Sequence, residues 1–245
     1  MRPDADPLIE LEKAVIACTR CPRLRIHRER VAREKVRRFA GSDYWGKPVP
    51  GFGDPQARLL VLGLAPAAHG GNRTGRVFTG DRSGEWLFRS LYAAGFADRP
   101  HSEHRGDCLR LHECYVTAAV RCAPPGNKPL REEFDACRTF LARELTLLVQ
   151  VRVVVALGQL AFRAYLDARR ALARPIPSPL PRFQHGHGMD LGDVSLIASY
   201  HPSQQNTFTR RLTVEMLDAI FRRARDLLGQ ATLLKDPTSG PIQRR

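Results

Sequence analysis

The strongest constraint on this chain is a rhythm. Four short apolar runs, at 58–64, 115–120, 151–157 and 194–199, are each largely continuous rather than alternating. Such runs predict strands buried on both faces. Helical periodicity fills the intervals at 83–94, 130–150 and 159–173, and a last amphipathic pattern runs over 207–228. Strands alternating with helices imply a parallel sheet between helical layers. The expected fold class is α/β: a three-layer α/β/α sandwich around a short, mainly parallel four-stranded sheet.

The flanks read differently. Leu8, Leu11, Val15 and Ile16 predict a helix over 7–19, and the basic stretch 23–38 is expected to be a solvated helix or arm. Gly, Pro and the aromatics Tyr44, Trp45 and Phe52 make 41–54 a loop, and four prolines make 173–188 another. The polar stretch 229–245 is expected to be a flexible tail. A chain of 245 residues then divides into a single domain over 1–228 and that tail.

Charge narrows the partner. A formal net charge of +14, most of it arginine, suits phosphate, because the guanidinium fork takes two oxygens at once. Nucleic acid is the expected partner. A membrane surface is the weaker choice, since no basic amphipathic helix shows a Trp/Phe/Leu face. No apolar run approaches the ~18–20 residues that span a bilayer, and Met1-Arg2-Pro3-Asp4 lacks a secretory apolar segment. A cytoplasmic location is expected. Six cysteines in such a chain argue for metal or redox chemistry over a disulfide framework.

In an open parallel sheet, ligands bind where loops leave the carboxyl ends of the strands. After the first strand comes the Gly-rich loop 63–84, and after the fourth comes 199–207. The first matches neither the P-loop nor the dinucleotide fingerprint. Gly63-Leu64-Ala65-Pro66-Ala67 and His201-Pro202-Ser203 resemble the two signature motifs of the uracil-DNA glycosylase superfamily, closest to its family 5 (type B) enzymes. The runs 75–81 and 115–122 match as well, in order, and the resemblance covers about 18–211. It implies DNA-repair hydrolysis of the base–deoxyribose bond by a monofunctional, water-mediated reaction on a flipped base. The implied partner is DNA containing uracil or other deaminated bases, bound by a monomer.

Chemistry gives the motif residues their reasons, and each has a plainer alternative. His201 could donate to the base oxygen as negative charge develops, or merely hold its own loop. Asp81 could orient water or stabilise the cationic sugar, or cap the helix that follows. Phe78 would stack on the flipped base, or sit in the core. Asn127 could read a base edge, or form a turn in its Pro/Gly loop. Ala65, His69 and Asn72 are expected to line the pocket. Ser203, Gln205, Asn206 and Arg210 are expected to face DNA; the alternative is a capped start to the last helix at Asn206 or Thr207. The first motif carries Ala67-Ala68 where other families place an acidic or amide residue, and Thr117-Ala118-Ala119 lacks the asparagine of some relatives. Fewer hydrogen-bonding demands imply a tolerant pocket, taking hypoxanthine and xanthine besides uracil.

Cys18-x-x-Cys21 alone is ambiguous among zinc, redox and cluster binding. With Cys122 and Cys137 it makes a four-thiolate site. The resemblance implies a [4Fe-4S] cluster there, held in part by the N-terminal helix and basic segment at about 8–40; zinc is the alternative. Cys108 and Cys114 read as spectators. A non-catalytic Fe–S or zinc DNA-binding module would explain the charge and the cysteines, but not a Phe, an Asp and a His gathered at the sheet's carboxyl edge.

Overall fold

In a computed structural model, which describes residues 6–233, the apolar runs form strands that sort their side chains onto two faces. The strands are β1 (Phe52–Gly53), β2 (Leu59–Gly63), β3 (Cys114–Ala118), β4 (Val153–Leu157), β5 (Gly188–Asp190) and β6 (Ser195–Ser199). They make one sheet in the order β1-β3-β2-β4-β6-β5. β3, β2, β4 and β6 are parallel, with Val61 opposite both Val116 and Val155. The helices are α1 (Pro7–Ile16), α2 (Pro22–Glu34), α3 (Gly71–Thr74), α4 (Arg82–Ala93), α5 (Arg131–Leu147), α6 (Gln159–Ala171), α7 (Gln204–Phe208) and α8 (Val214–Leu233).

Alternate strand residues feed two cores. Leu59, Val61, Val153 and Val155 pack with Leu87, Phe88 and Leu91 of α4 and Leu217 and Phe221 of α8. Leu60, Leu62, Val154 and Ala156 pack with Leu141 and Leu145 of α5 and Phe162 and Tyr165 of α6. Each fully buried aliphatic or aromatic side chain contributes about 1.5–3 kcal/mol, so the three-layer sandwich rests on these two faces.

Three expectations change. The sheet has six strands, not four: β1 and β5 pair antiparallel to β3 and β6 at its two edges. Both begin in or border segments read as loops, because two and three residues rich in Gly carry no apolar pattern. The last helix is two. Arg210 takes a left-handed φ of 55°, which ends α7, and Thr213 Oγ1 accepts from Met216 N where α8 starts. α8 also runs through Leu233, past the expected end at 228; the rest of the tail, 234–245, lies outside the described residues. The basic stretch is helical to Glu34, with Leu24 and Arg28 on its buried side. Among the described residues no helix is long and apolar enough to cross a membrane.

Candidate active site

The parallel strands bring the loops after β2 and β6 to one edge, with β4 between them. The ring of Phe78 lies on the end of β2, since a Cβ at Gly63 would come within 2.6 Å of it. On its other side it stacks with His201, with ring centroids 5.7 Å apart. Phe78 takes a left-handed φ of 53°, and its carbonyl occupies the space a Cβ would need at Gly84, the third residue of α4. The side chain is buried in the core under the loop, so it forms the floor on which His201 rests.

Asn206 Nδ2 fixes the backbone of His201 by donating to its carbonyl at 2.8 Å. Neither ring nitrogen of His201 has a hydrogen-bond partner among the described residues. Burial pulls its pKa down to about 4, so at neutral pH the imidazole is uncharged and able to donate one N–H. Asp81 caps α4, its Oδ1 accepting from Gly84 N at 2.9 Å. Desolvation by burial pushes its carboxyl above the usual range, against the pull of the Gly84 and Ser83 amides. The carboxylate leans on bare backbone: a Cβ at Gly70 would overlap Asp81 Oδ2.

A cleft of about 550 Å³ gathers His69, Asp81 and Asn127, with Ala67, Ala68 and Gln204 also on its wall. His69 is held by Tyr44, whose hydroxyl lies 3.0 Å from Nδ1. Asn127 has a left-handed φ of 57° and ends a single 3₁₀ turn, so the turn presents it exposed at the cleft. Phe78 and His201 lie outside this lining, and so does Asn72, which is buried behind the loop with its amide turned to Arg28 O. Ala65 packs instead beside Leu24, Val120, Cys122 and Cys137. Ser203, rather than Asn206 or Thr207, is the helix N-cap, accepting from Asn206 N at 3.3 Å; its extended backbone and short hydroxyl suit the cap. Gln205 and Arg210 stand exposed on α7 and just beyond it. A larger groove, about 660 Å³, lies between α5 and α6; of the motif runs only Ala119 lines it, and none of the expected catalytic, substrate-binding or DNA-facing residues does.

Two residues that the sequence did not single out hold the cleft loop. Arg73 Nε donates to His69 O at 2.9 Å and Nη2 to Gly80 O at 2.9 Å, closing the loop on itself next to Asp81. Gly70 makes the room for the Asp81 carboxylate. Glycines are dense in this loop, but nothing local marks which one meets the carboxylate.

The four cysteines form a second centre beside the first. Cys21, Cys122 and Cys137 pack in one small cluster, and Cys18 adjoins through Leu11, Val15 and Phe140. The thiols are close enough to raise one another's pKa, after burial, which is the larger cause. As they stand, no group of three or more His, Cys, Asp or Glu side chains among the described residues is arranged to hold a metal ion. The donors around them nevertheless suit thiolates: Arg28 Nη1 lies 3.1 Å from Cys122 Sγ, and Arg20 Nε 3.4 Å from Cys18 Sγ. Charge-assisted N–H···S contacts of this kind support metal-bound sulfur. Cys114 is fully buried on β3, its thiol pushed up by burial, and Cys108 is exposed.

Comparison with known proteins gives a consistent set. The model of the uracil DNA glycosylase superfamily matches residues 50–225. A type-5 uracil-DNA glycosylase of Thermus thermophilus is 51% identical over 89% of this chain and 96% of that protein. One from Mycobacterium tuberculosis is 50% identical over 92% of this chain and 83% of its own length. A type-4 uracil-DNA glycosylase of Thermotoga maritima is more distant, 26% identical over 87% of this chain.

Proposed function

The chain belongs to the uracil-DNA glycosylase superfamily, and we propose that it is a DNA-repair glycosylase that hydrolyses the bond between deoxyribose and uracil, with hypoxanthine and xanthine as further substrates. One observation carries this: Asp81, capping α4 at the cleft, and a half-buried, uncharged His201, its ring stacked 5.7 Å from that of Phe78, stand on loops from β2 and β6 at the same edge of the sheet. Base–sugar cleavage needs that pairing. Positive charge grows on the sugar, where Asp81 stabilises it and orients the attacking water. Negative charge grows on the base, where a neutral N–H of His201 donates without first losing a proton.

The supporting groups follow from position. The flipped base enters the cleft beside Asn127 and His69, and His201, propped on Phe78, approaches it from the loop after β6. Ser203, Gln205, Asn206 and Arg210 face the DNA on the same side, with Arg210 free to meet phosphate. Ala67 and Ala68 offer the base no side-chain hydrogen bond, which supports a tolerant pocket. Cys18, Cys21, Cys122 and Cys137 would hold a [4Fe-4S] cluster. That group would tie the α1–α2 junction to the end of β3 and to α5. The enzyme acts as a monomer in the cytoplasm.

Single-turnover excision tests this reading, with labelled duplexes carrying one uracil or one hypoxanthine and alkali to cut abasic sites. Strand cleavage at both bases is expected. No cleavage at either, from protein that still binds DNA, would overturn it. Visible absorbance and metal analysis of the purified protein decide the metal: a brown, iron-containing preparation is expected, whereas zinc is colourless.

A further inference from the structure

Arg28, on α2, is bonded to both the cysteine cluster and the cleft loop. Its side chain is 6% exposed, and among the described residues Nη2 has only Glu29 Oε1, at 3.5 Å and half in solvent, as an ion-pair partner. Nη1 donates to Cys122 Sγ at 3.1 Å and Nε to Gly46 O at 3.1 Å. On the other side of the same residue, the backbone carbonyl accepts from Asn72 Nδ2 at 3.2 Å. Gly46 N then returns to Asn72 O at 3.0 Å, closing the circuit.

Asn72 is fully buried, and its Oδ1 has no partner, so the bond to Arg28 is the side chain's single hydrogen bond among the described residues. Rotating the amide would set two oxygens against each other. Asn72 sits in α3, two residues after Gly70, and Gly70 is the backbone on which the Asp81 carboxylate rests. A shift of Arg28 therefore reaches Asp81 through Asn72 and the two glycines before it.

We propose that Arg28 is a positioning residue that registers the cleft loop against the cysteine-held metal group, its guanidinium gripping Cys122 and its carbonyl gripping Asn72. The proposal rests on the metal reading of the four cysteines. A guanidinium buried against sulfur gains most when that sulfur is a thiolate, as it is on a metal. The same contact then stabilises the metal group and sets the height of the loop under Asp81.

The test uses the metal-loaded full-length chain and three variants. Arg28→Met, which keeps the stem and removes the fork, is expected to lose metal to a chelator about tenfold faster and to slow single-turnover excision at saturating DNA about tenfold. Its DNA affinity should hold. Asn72→Ala cuts only the loop half of the circuit, so it should slow excision while metal loss stays at the wild-type rate. Arg28→Lys restores the charge and should recover metal retention. Wild-type metal retention in Arg28→Met, or wild-type excision in Asn72→Ala, would overturn the proposal. Wild-type protein that binds neither iron nor zinc would overturn the metal reading and this proposal with it; a loaded wild type with a fully active Asn72→Ala overturns this one alone.

Discussion

Asp81 caps α4 through Gly84 N and also faces the cleft, so its two roles separate only in a substitution that keeps one of them. Asparagine caps helices nearly as well as aspartate. Asp81→Asn is therefore expected to leave the unfolding midpoint almost unchanged while cutting single-turnover excision on the order of a hundredfold or more. Equal excision by the two proteins would leave Asp81 as a cap alone. In the wild type, the acid limb of the pH–rate profile should lie above the usual carboxylate range, because burial raises this carboxyl. His201 stays neutral down to about 4 and should not shape the profile near neutrality. Gly70→Ala puts a methyl where Asp81 Oδ2 sits. It should reproduce the loss of Asp81→Asn with DNA binding retained, and a normal rate would show that the carboxylate works from another position. The place of Asp81 and His201 at the carboxyl edge of the sheet was legible in the sequence because motifs of known order surround them. Gly70 was not, since its role is a contact with a residue in the next loop segment rather than a feature of its neighbours.

At the scale of elements, the segment after β6 repays attention. The amphipathic pattern over 207–228 looked continuous, yet the chain breaks it at Arg210 and restarts at Thr213. The break leaves a short helix whose cap, Ser203, through its amide, and whose Asn206, through its side chain, both donate to the His201 carbonyl. Two residues proposed to face DNA thus also hold the imidazole. Arg210 lies past that helix and carries neither duty, so Arg210→Ala should weaken binding alike for uracil-containing and intact duplexes. It should also reduce the salt slope of log K by about 1. A selective loss for damaged DNA would instead place Arg210 at the base. Sequence pattern could place the four parallel strands, because 59–62 and 153–156 are unbroken apolar runs. It could not supply their order, nor the edge pairs, whose two or three residues have no period to read.

Across the whole molecule, charge and buried ion pairs set the conditions of use. Arg76 and Asp107 are both buried and 2.6 Å apart, with Ser102 and Thr79 bonded to the same guanidinium. Burial alone would raise the Asp107 carboxyl, but Arg76 and the amides of Glu103 and Leu109 outweigh it and hold the pKa at about 2. In the unfolded chain Asp107 protonates near 4, so this stabilisation is whole above that pH and lost as pH falls toward 2. His201 acts earlier. The unfolded chain takes up a proton below about 6.5 while the folded one stays neutral to about 4, so stability declines through that interval as well. Each step is on the order of 2–3 kcal/mol. Urea midpoints at pH 7, 5 and 3 should fall in two stages; a midpoint unchanged from 7 to 5 would mean that His201 is solvated in the folded protein.

The two short edge strands carry a further consequence. A parallel sheet that stopped at β3 and β6 would expose full-length rows of unpaired amides and carbonyls to any neighbour, an open template for fibril growth. β1 and β5 reverse direction there and end after two and three residues. A second molecule arriving at either border finds too little ladder to extend. Proteins crowded along the same stretch of polyanion can then pass and dissociate as separate molecules instead of seeding an aggregate.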